Sequence, residues 1–404
     1  MILMASLVGQ SHSLFGQDPF AQTRREMVEQ YIESAGVKDV RVLQSIRETP
    51  RHEFVPRGVR SRAYLDMALP IGEAQTISSP FIVAMMTEAL KPKPTDVVLE
   101  IGTGSGYQAA VLSPLVAKVY TIEIVPELGQ VAADTLTRLN YSNVFPRIGD
   151  GFLGWPEAAP FDKIIVTCSP EDVPKPLLDQ LREGGQMIIP VGERYQQTMY
   201  RMVKQNGKLI RQPLRPTLFV PMTGEAEAAR EVHPDPQNPK VVNGDFEEGG
   251  ESSLGKNGLV SGWYYGRQVK RLQASSDTGD APSGKRFVRF ENETPGLDSH
   301  LLQGVPIDGQ MVSLIRLGTM VRTKGVRRGS SKEELPMLAL TLYDKDRKEL
   351  GTVWLGPYQG TKDWTKATRL VPIPPATREG ILRIGLFGAT GIADFDEISI
   401  KRLD

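Results

Sequence analysis

Apolar positions along the first half of the chain switch between two periods. Met27, Val28, Tyr31, Ile32 and Ala35 recur at helical spacing and Gly36 follows them. With Asp18-Pro19 as cap and first-turn proline, the spacing predicts a helix that closes at the glycine. Val40, Leu43 and Ile46 predict a second helix that stops before Pro50. From Thr95 to about Gly192 the pattern alternates between short apolar runs and helical stretches. "VVLEI", "KVYTIEI", "NVFPRIG", "DKIIVTC" and "QMIIPVG" are the runs. Such alternation predicts an α/β unit with a doubly wound parallel sheet. In Gln197 to Leu214, Asn206-Gly207 separates two strand-like runs and predicts a hairpin at an antiparallel edge.

The pattern changes after Gly224. Residues 224–240, "GEAEAAREVHPDPQNPK", are polar, with three prolines near the end, and read as a linker. Beyond them helical periodicity fades. "KRFVRFE", "MVSLIRLGTMVRT", "MLALTLYD", "TRLVPIP", "ILRIGLFG" and "ADFDEISI" are short strands set between Gly and Asp turns, which predicts an all-β sandwich over 241–404. Residues 18–223 form the α/β unit. The first 17 residues, "MILMASLVGQSHSLFGQ", run from apolar to small and polar, like the end of a signal peptide, but no Lys or Arg precedes Arg24. They read as a tail on a cytoplasmic protein, or as a signal remnant on an exported or periplasmic one.

Composition narrows the function by exclusion. Lys+Arg and Asp+Glu are both 48 in 404 residues, which gives no overall pull toward nucleic acid or an anionic membrane. No stretch approaches a membrane span. Cys168 is the single cysteine, so no intrachain disulfide and no cysteine-based zinc site can form. The four histidines are far apart and show no ligand spacing; no metal is expected.

One stretch does carry chemistry. In "VLEIGTGSGYQAAVL" (Val98 to Leu112) a buried strand leads through Gly102, Gly104 and Gly106 into a helix. The glycines permit a sharp turn and close backbone approach, and the helix start offers free N–H groups to a nucleotide-like ligand. The spacing is G-x-G-x-G rather than the dinucleotide G-x-G-x-x-G. Glu123, at the end of the next strand, could accept both ribose hydroxyls, which suits NAD as well as S-adenosylmethionine. Glu100 could face a cationic amino-acid moiety, and Asp150 in "GDG" could meet an adenine edge; both favour S-adenosylmethionine. For Asp150 an ordinary turn role is the plainer alternative.

With these residues in place, the chain from roughly Phe20 to Thr223 resembles the protein-L-isoaspartate O-methyltransferases. The resemblance lies in blocks occurring in order: "PRHEFVP", "AYLDMALPIGEAQTISSPFIVAMM", "VLEIGTGSGYQAAVLSPL", "IGDGFLGWPEAAPFDKIIVT" and "LLDQLREGGQMIIPVG". "QTISSP" is the most specific of them. The resemblance implies S-adenosyl-L-methionine as methyl donor and an L-isoaspartyl or D-aspartyl peptide or protein as acceptor. Residue by residue, it implies that Gly102, Gly104 and Gly106 cradle the methionine portion, that Glu123 holds the ribose, and that Asp150 with Gly151 holds the adenine. Thr76, Ile77 and Ser78 match the segment over the cofactor, and Ser78 the active-site serine. "VTCS" (Val166 to Ser169) departs from the family's usual Ala-Ala after Val-Thr.

The residue types suit that chemistry. A carboxylate acceptor, with a reference pKa near ~3.5–4, is already ionised at neutral pH and needs no strong base. Charge is cancelled in the step, so positioning and exclusion of water supply the acceleration. Ser78 then orients the acceptor; its alternative role is an N-cap before Pro80. The methyl ester would close to a succinimide and hydrolyse partly to aspartate, a repair. The second unit resembles the carbohydrate-binding-module-like jelly rolls of the galactose-binding superfamily, through "VVNGDFEEG", Gly262-Trp263 and "ADFDEISI". Its ligand could be a glycan or a protein. Trp263, Tyr264, Tyr265, Trp354, Tyr358 and Trp364 could stack on sugar, or be core and rim. Asp245, Glu247, Asp394 and Asp396 could bind a structural calcium, or be turn and surface acids. Two other functions compete: a methyltransferase of this fold with another acceptor, and a glycan-binding protein with a degenerate methyltransferase half.

Overall fold

The computed structural model describes residues 18–248, 260–266, 268–277, 279–331 and 334–404. The N-terminal segment 1–17 expected as a tail lies outside the described residues.

Helix α1 (Ala21–Met27) is followed at once by a wider π turn over Val28–Glu33, so the predicted single helix changes pitch at Val28 while keeping Met27, Val28 and Ile32 buried. Helix α2 (Val40–Glu48) starts at Asp39, whose side chain accepts from the Arg41 N–H. A short hairpin, β1 (Leu69–Gly72) and β2 (Gln75–Ile77), precedes α3 (Pro80–Leu90). The central sheet then builds from β3 (Val97–Ile101), β4 (Lys118–Glu123), β5 (Val144–Ile148), β6 (Phe161–Val166), β7 (Leu181–Glu193), β8 (Gln196–Gln205) and β9 (Lys208–Thr217). Its order is β5-β4-β3-β6-β7-β8-β9. Strands β3 to β7 pair in parallel, and β8 and β9 add the antiparallel edge through Asn206 and Gly207, both at positive φ as a tight hairpin turn requires. Helices α4 (Tyr107–Leu112), α5 (Pro126–Arg138) and α6 (Lys175–Gln180) complete the crossovers, with apolar cores on both faces of the sheet. The order reverses at β3 and β6, and the carboxyl ends of these strands open the crevice where such sheets bind ligands.

After α7 (Glu225–Ala228) the regular elements among the described residues are all strands: β10 (Val269–Gln273), β11 (Arg286–Asn292), β12 (His300–Pro306), β13 (Leu314–Arg327), β14 (Met337–Tyr343), β15 (Glu349–Leu355), β16 (Gly360–Pro372), β17 (Glu379–Gly385) and β18 (Thr390–Arg402). They make two antiparallel sheets, β10-β11-β18-β13-β16 and β12-β17-β14-β15. The sheets enclose one apolar core that includes Phe290, Leu317, Leu340, Leu382 and Phe395.

Burial separates the two roles open to the aromatic residues of this half. Trp263 and Tyr264 are each only 1% exposed, so they are core rather than sugar platform. Trp364 packs on Phe287 with the Arg322 guanidinium 4.6 Å from its ring centre, and Trp354 is 40% exposed on β15. The four acids do not gather round a cation either. Asp394 is held by Arg289 (2.7 and 2.9 Å) and Arg322 (2.9 and 2.7 Å), and Glu247 accepts from the Lys285 and Arg286 N–H groups at 2.6 Å. Among the described residues no three His, Cys, Asp or Glu side chains cluster as metal ligands.

The halves are joined by more than a tether. In the β7–β8 turn the Tyr195 hydroxyl donates to Glu379 Oε2 at 3.2 Å, and Tyr264 donates back to the Tyr195 carbonyl. The Tyr195 ring lies against Gly304, where a Cβ would meet Cδ1 at 2.5 Å. The first part of the expected linker is likewise docked. Ala226 is buried, and Arg230, 4% exposed, donates to the carbonyls of Ser169 (3.1 Å) and Gly192 (3.2 Å). No helix among the described residues is long and apolar enough to cross a membrane.

Candidate active site

A cavity opens at the carboxyl ends of β3, β4 and β6. Three short stretches reach it as expected. Thr76, Ile77 and Ser78 arrive on one side, Gly102 and Gly104 on another, and Glu123 and Gly151 complete the ring. The β1–β2 hairpin, paired Leu69 to Ile77 and Pro70 to Thr76, carries the first stretch over the mouth. Pro80 at the first turn of α3 then fixes the chain direction just after Ser78. Gly102 sits at φ 93°, and a Cβ there would meet Thr167 Oγ1 at 2.5 Å. At Gly151 a side chain would collide with Ile101. At both positions the backbone packs against a wall residue, so only glycine fits and the backbone itself borders the cavity.

Glu123 is fixed by the turn it faces. Its Oε2 accepts from the Gly104 N–H at 2.7 Å and its Oε1 from the Val125 N–H at 3.0 Å, while the residue is 6% exposed. Each carboxylate oxygen keeps a lone pair for a further donor.

Ser78 is not a helix cap. Ser79 holds the N-cap position of α3, without a side-chain cap bond, and its buried Oγ has no partner. The orphan N–H of Phe81 is satisfied from outside the helix by Asp66 Oδ1 at 2.7 Å. The Ser78 side chain is thus left to the cavity.

Three expected residues lie elsewhere. The period of β3 puts Val98 and Glu100 on one face and Leu99 and Ile101 on the other, and Ile101 lines the cavity. Glu100 is completely buried behind the wall, with Oε2 accepting from Thr121 at 2.6 Å and Oε1 unpartnered. Burial, with the nearby Glu123 charge adding and the Thr121 bond opposing, pushes its pKa up to about 8. Thr121 in turn bonds Thr103 at 2.6 Å, and Thr103 does line the cavity. Asp150 spends its carboxylate on backbone: Oδ1 accepts from Phe152 N–H and Oδ2 from Glu225 N–H, each at 2.9 Å. This is the geometry of a turn residue that also anchors α7, and, as at Glu123, each oxygen keeps a lone pair. Gly106 starts α4 at φ 86° and faces Leu136 rather than the cavity, so it serves the packing of α4 on α5.

Other residues complete the wall, two of them from the "VTCS" stretch noted as a departure from the family pattern. Gln108, Thr167 and Cys168 belong to the lining, as does the strip Val220 to Thr223. That strip follows β9 and returns to the sheet beside Ser169: Ser169 N–H donates to Val220 O at 2.8 Å and Met222 N–H to Ser169 O at 2.9 Å. In the sequence it lies within the stretch "FVPMTG". Burial raises the Cys168 thiol pKa, with the Glu123 and Asp150 charges adding, so the thiol stays protonated.

The model of the protein-L-isoaspartate(D-aspartate) O-methyltransferase family matches residues 22–227. The chain belongs to this family. A protein-L-isoaspartate O-methyltransferase of Opitutus terrae is 49% identical over 226 residues, which are 56% of this chain and 97% of that one. One of Dictyoglomus turgidum is 48% identical over 211 residues, 52% of this chain and 96% of that protein. A solved protein-L-isoaspartate O-methyltransferase structure covers 50% of this chain and 67% of its own, at 30% identity and a TM-score of 0.47. The family match ends three residues before Arg230, so the sandwich lies beyond it.

Proposed function

We propose that the cavity between Thr76–Ser78 and Gly102–Glu123 is where this family member carries out its reaction. That reaction is S-adenosyl-L-methionine-dependent methyl esterification of the free carboxylate of L-isoaspartyl and D-aspartyl residues in damaged proteins, which initiates their repair. The observation that carries the assignment to this cavity is the Glu123 carboxylate, clamped by the Gly104 N–H beside an open glycine turn and across from Ser78.

The residues fit the donor. Gly102 and Gly104, both at positive φ, bring turn backbone to the cavity wall, Gly151 packs on Ile101 where no Cβ fits, and Glu123 offers a preset acceptor for a pair of hydroxyls. When bound, S-adenosylmethionine supplies a sulfonium methyl group. The acceptor is ionised near neutral pH, with a reference pKa of about 3.5–4, so no side chain has to take a proton. Ser78 Oγ–H donates to one acceptor oxygen and aims the other. Val83 and Met86 make the wall beside it apolar and keep water out. Cys168, protonated, is a filler and not a nucleophile.

We assign the α/β unit to residues 18 to about 232, because α7 and Arg230 are docked on it, and the sandwich to 241–404. A cytoplasmic location suits a chain whose single cysteine is a free thiol.

The deciding assay compares an isoaspartyl peptide with its aspartyl twin. Methyl transfer to the first alone is the expected result. Equal transfer to both, or to neither with the cofactor bound, would overturn the assignment.

A further inference from the structure

Helix α3 separates two openings. Val83 and Met86 face the cavity, while Phe81, Met85, Glu88 and Ala89, at i, i+4, i+7 and i+8, line a second cleft of about 1080 Å³. The opposite wall comes from the sandwich half, at Gly266, Gln268, Leu297 and Asp298. The β8–β9 hairpin closes the cleft with Arg201, Leu214 and Arg215. This volume is just above the ~300–1,000 Å³ range of small-molecule sites.

Its shape and position suit a chain. From Phe81 to Lys91 the helix extends ~15 Å, at 1.5 Å per residue. Ser78 lies three residues before Phe81, so at most ~10 Å of backbone separates the two openings. An extended peptide advancing ~3.3 Å per residue crosses that distance in about three residues and lays about five more along α3. Met85, Ala89, Leu214 and Leu297, all half-buried, supply apolar surface for its side chains, and the buried Phe81 ring lies 5.1 Å from the Arg215 guanidinium.

Its charge is one-sided, although the whole chain is neutral. Lys38, Lys91, Arg201 and Arg215 line the cleft against Glu88 and Asp298. The Glu88 carboxylate is already engaged, Oε1 accepting from the Lys38 and Asp39 N–H groups at 2.6 and 2.7 Å. Asp298 Oδ1 lies 3.0 Å from His300 Nδ1. Arg201 is held by the neutral side chains of Gln186 (3.4 Å) and Gln212 (3.2 Å), and Lys38 and Lys91 are exposed.

We propose that this interdomain cleft receives the polypeptide flanking the isoaspartyl residue and selects for acidic flanking segments. The sandwich is then one wall of the substrate site. The proposal rests on reading the first cavity as the site of methyl transfer.

The test uses the full-length enzyme with an isoaspartyl pentapeptide and with longer isoaspartyl peptides carrying Glu-rich, neutral or Lys-rich segments four to eight residues away, on either side. The expected result is a KM for the Glu-rich peptide about fivefold below the neutral one, a Lys-rich KM above it, and similar kcat. The double substitution Lys38→Glu/Lys91→Glu reverses that order and leaves the pentapeptide unchanged. Gln268→Glu, on the sandwich wall, weakens the acidic preference in the same way. Flank-independent KM values, or a charge reversal that changes the pentapeptide equally, would overturn the proposal. So would a single-stranded oligonucleotide that competes through Lys38 and Lys91 while acidic peptides show no preference. Absence of methyl transfer to the pentapeptide itself would instead defeat the reading of the first cavity.

Discussion

The Gly104 N–H donates to Glu123 Oε2 at 2.7 Å across the turn between β3 and α4. A strand-end carboxylate and a glycine loop 19 residues apart are therefore one preorganised unit. An acceptor fixed in advance loses little freedom when a ligand's hydroxyls arrive.

Glu123→Gln keeps the shape and removes the charge, and Glu123→Ala removes both. Hydrogen bonds to a charged group contribute about 1.5–3 kcal/mol each. Cofactor affinity is expected to fall about tenfold for Gln and at least a hundredfold for Ala. Titration calorimetry with S-adenosylhomocysteine checks this, and unchanged affinity would remove Glu123 from the cofactor site.

Ser78 makes a different prediction because it lines the cavity while Ser79 holds the cap position. Ser78→Ala should lower kcat about ten- to a hundredfold with cofactor affinity and melting temperature near wild type. A drop in melting temperature with kcat intact would return the residue to a structural role.

Glu100 ties the same region to pH. Its carboxyl holds a proton up to about pH 8 in the fold, against an ordinary value of 4.5. Between those values the folded state binds the extra proton, so stability falls as pH rises through the window. Below pH 4.5 both states are protonated and the effect vanishes. Glu100→Gln removes the titration. It should gain stability over wild type from pH 5.5 to pH 8.5, by up to about 4 kcal/mol at the upper end. Urea unfolding of both proteins at the two pH values measures it; a constant difference would mean that Glu100 does not titrate there.

Glu100 also marks where local pattern stops being informative. An acid two residues before a glycine turn reads as a ligand group by sequence proximity, but the pleat of β3 turns it to the opposite face from Ile101. Val220 to Thr223 fail in the other direction. Nothing local marks them as wall residues, because a long-range pairing with Ser169 brings them there. The turn at Gly102, the "QTISSP" stretch and the five parallel strands were legible because each depends on contiguous residues. In the sandwich the strands missed outright are β10, β12 and β15, and all three are sheet edges. β10 and β15 are largely exposed or half-buried, so their composition is closer to that of loops, whereas β12 is mostly buried but carries His300, Gln303 and Gly304, which break its apolar run.

The docked segment after Thr223 gives the last prediction. Arg230 reaches the carbonyls of Ser169 and Gly192, and Ser169 itself holds the strip that lines the cavity. Asp150, at the start of the turn carrying Gly151, is anchored from the same segment through Glu225. A chain ending at Thr223 loses both ties, while one ending at Val232 keeps them, and both lack the sandwich. Leaving buried carbonyls short of a charged donor costs about 2–4 kcal/mol. The shorter chain should therefore unfold at lower urea and bind S-adenosylhomocysteine more weakly than the longer one. Arg230→Met in the full-length protein should show a similar stability loss with the sandwich present. The longer truncated chain should methylate an isoaspartyl pentapeptide at close to the full-length rate, since the cavity lining ends at Thr223. If the two truncated chains match in stability and affinity, the contacts of Arg230 and Glu225 contribute nothing to the cavity, and the α/β unit ends at Thr223 after all.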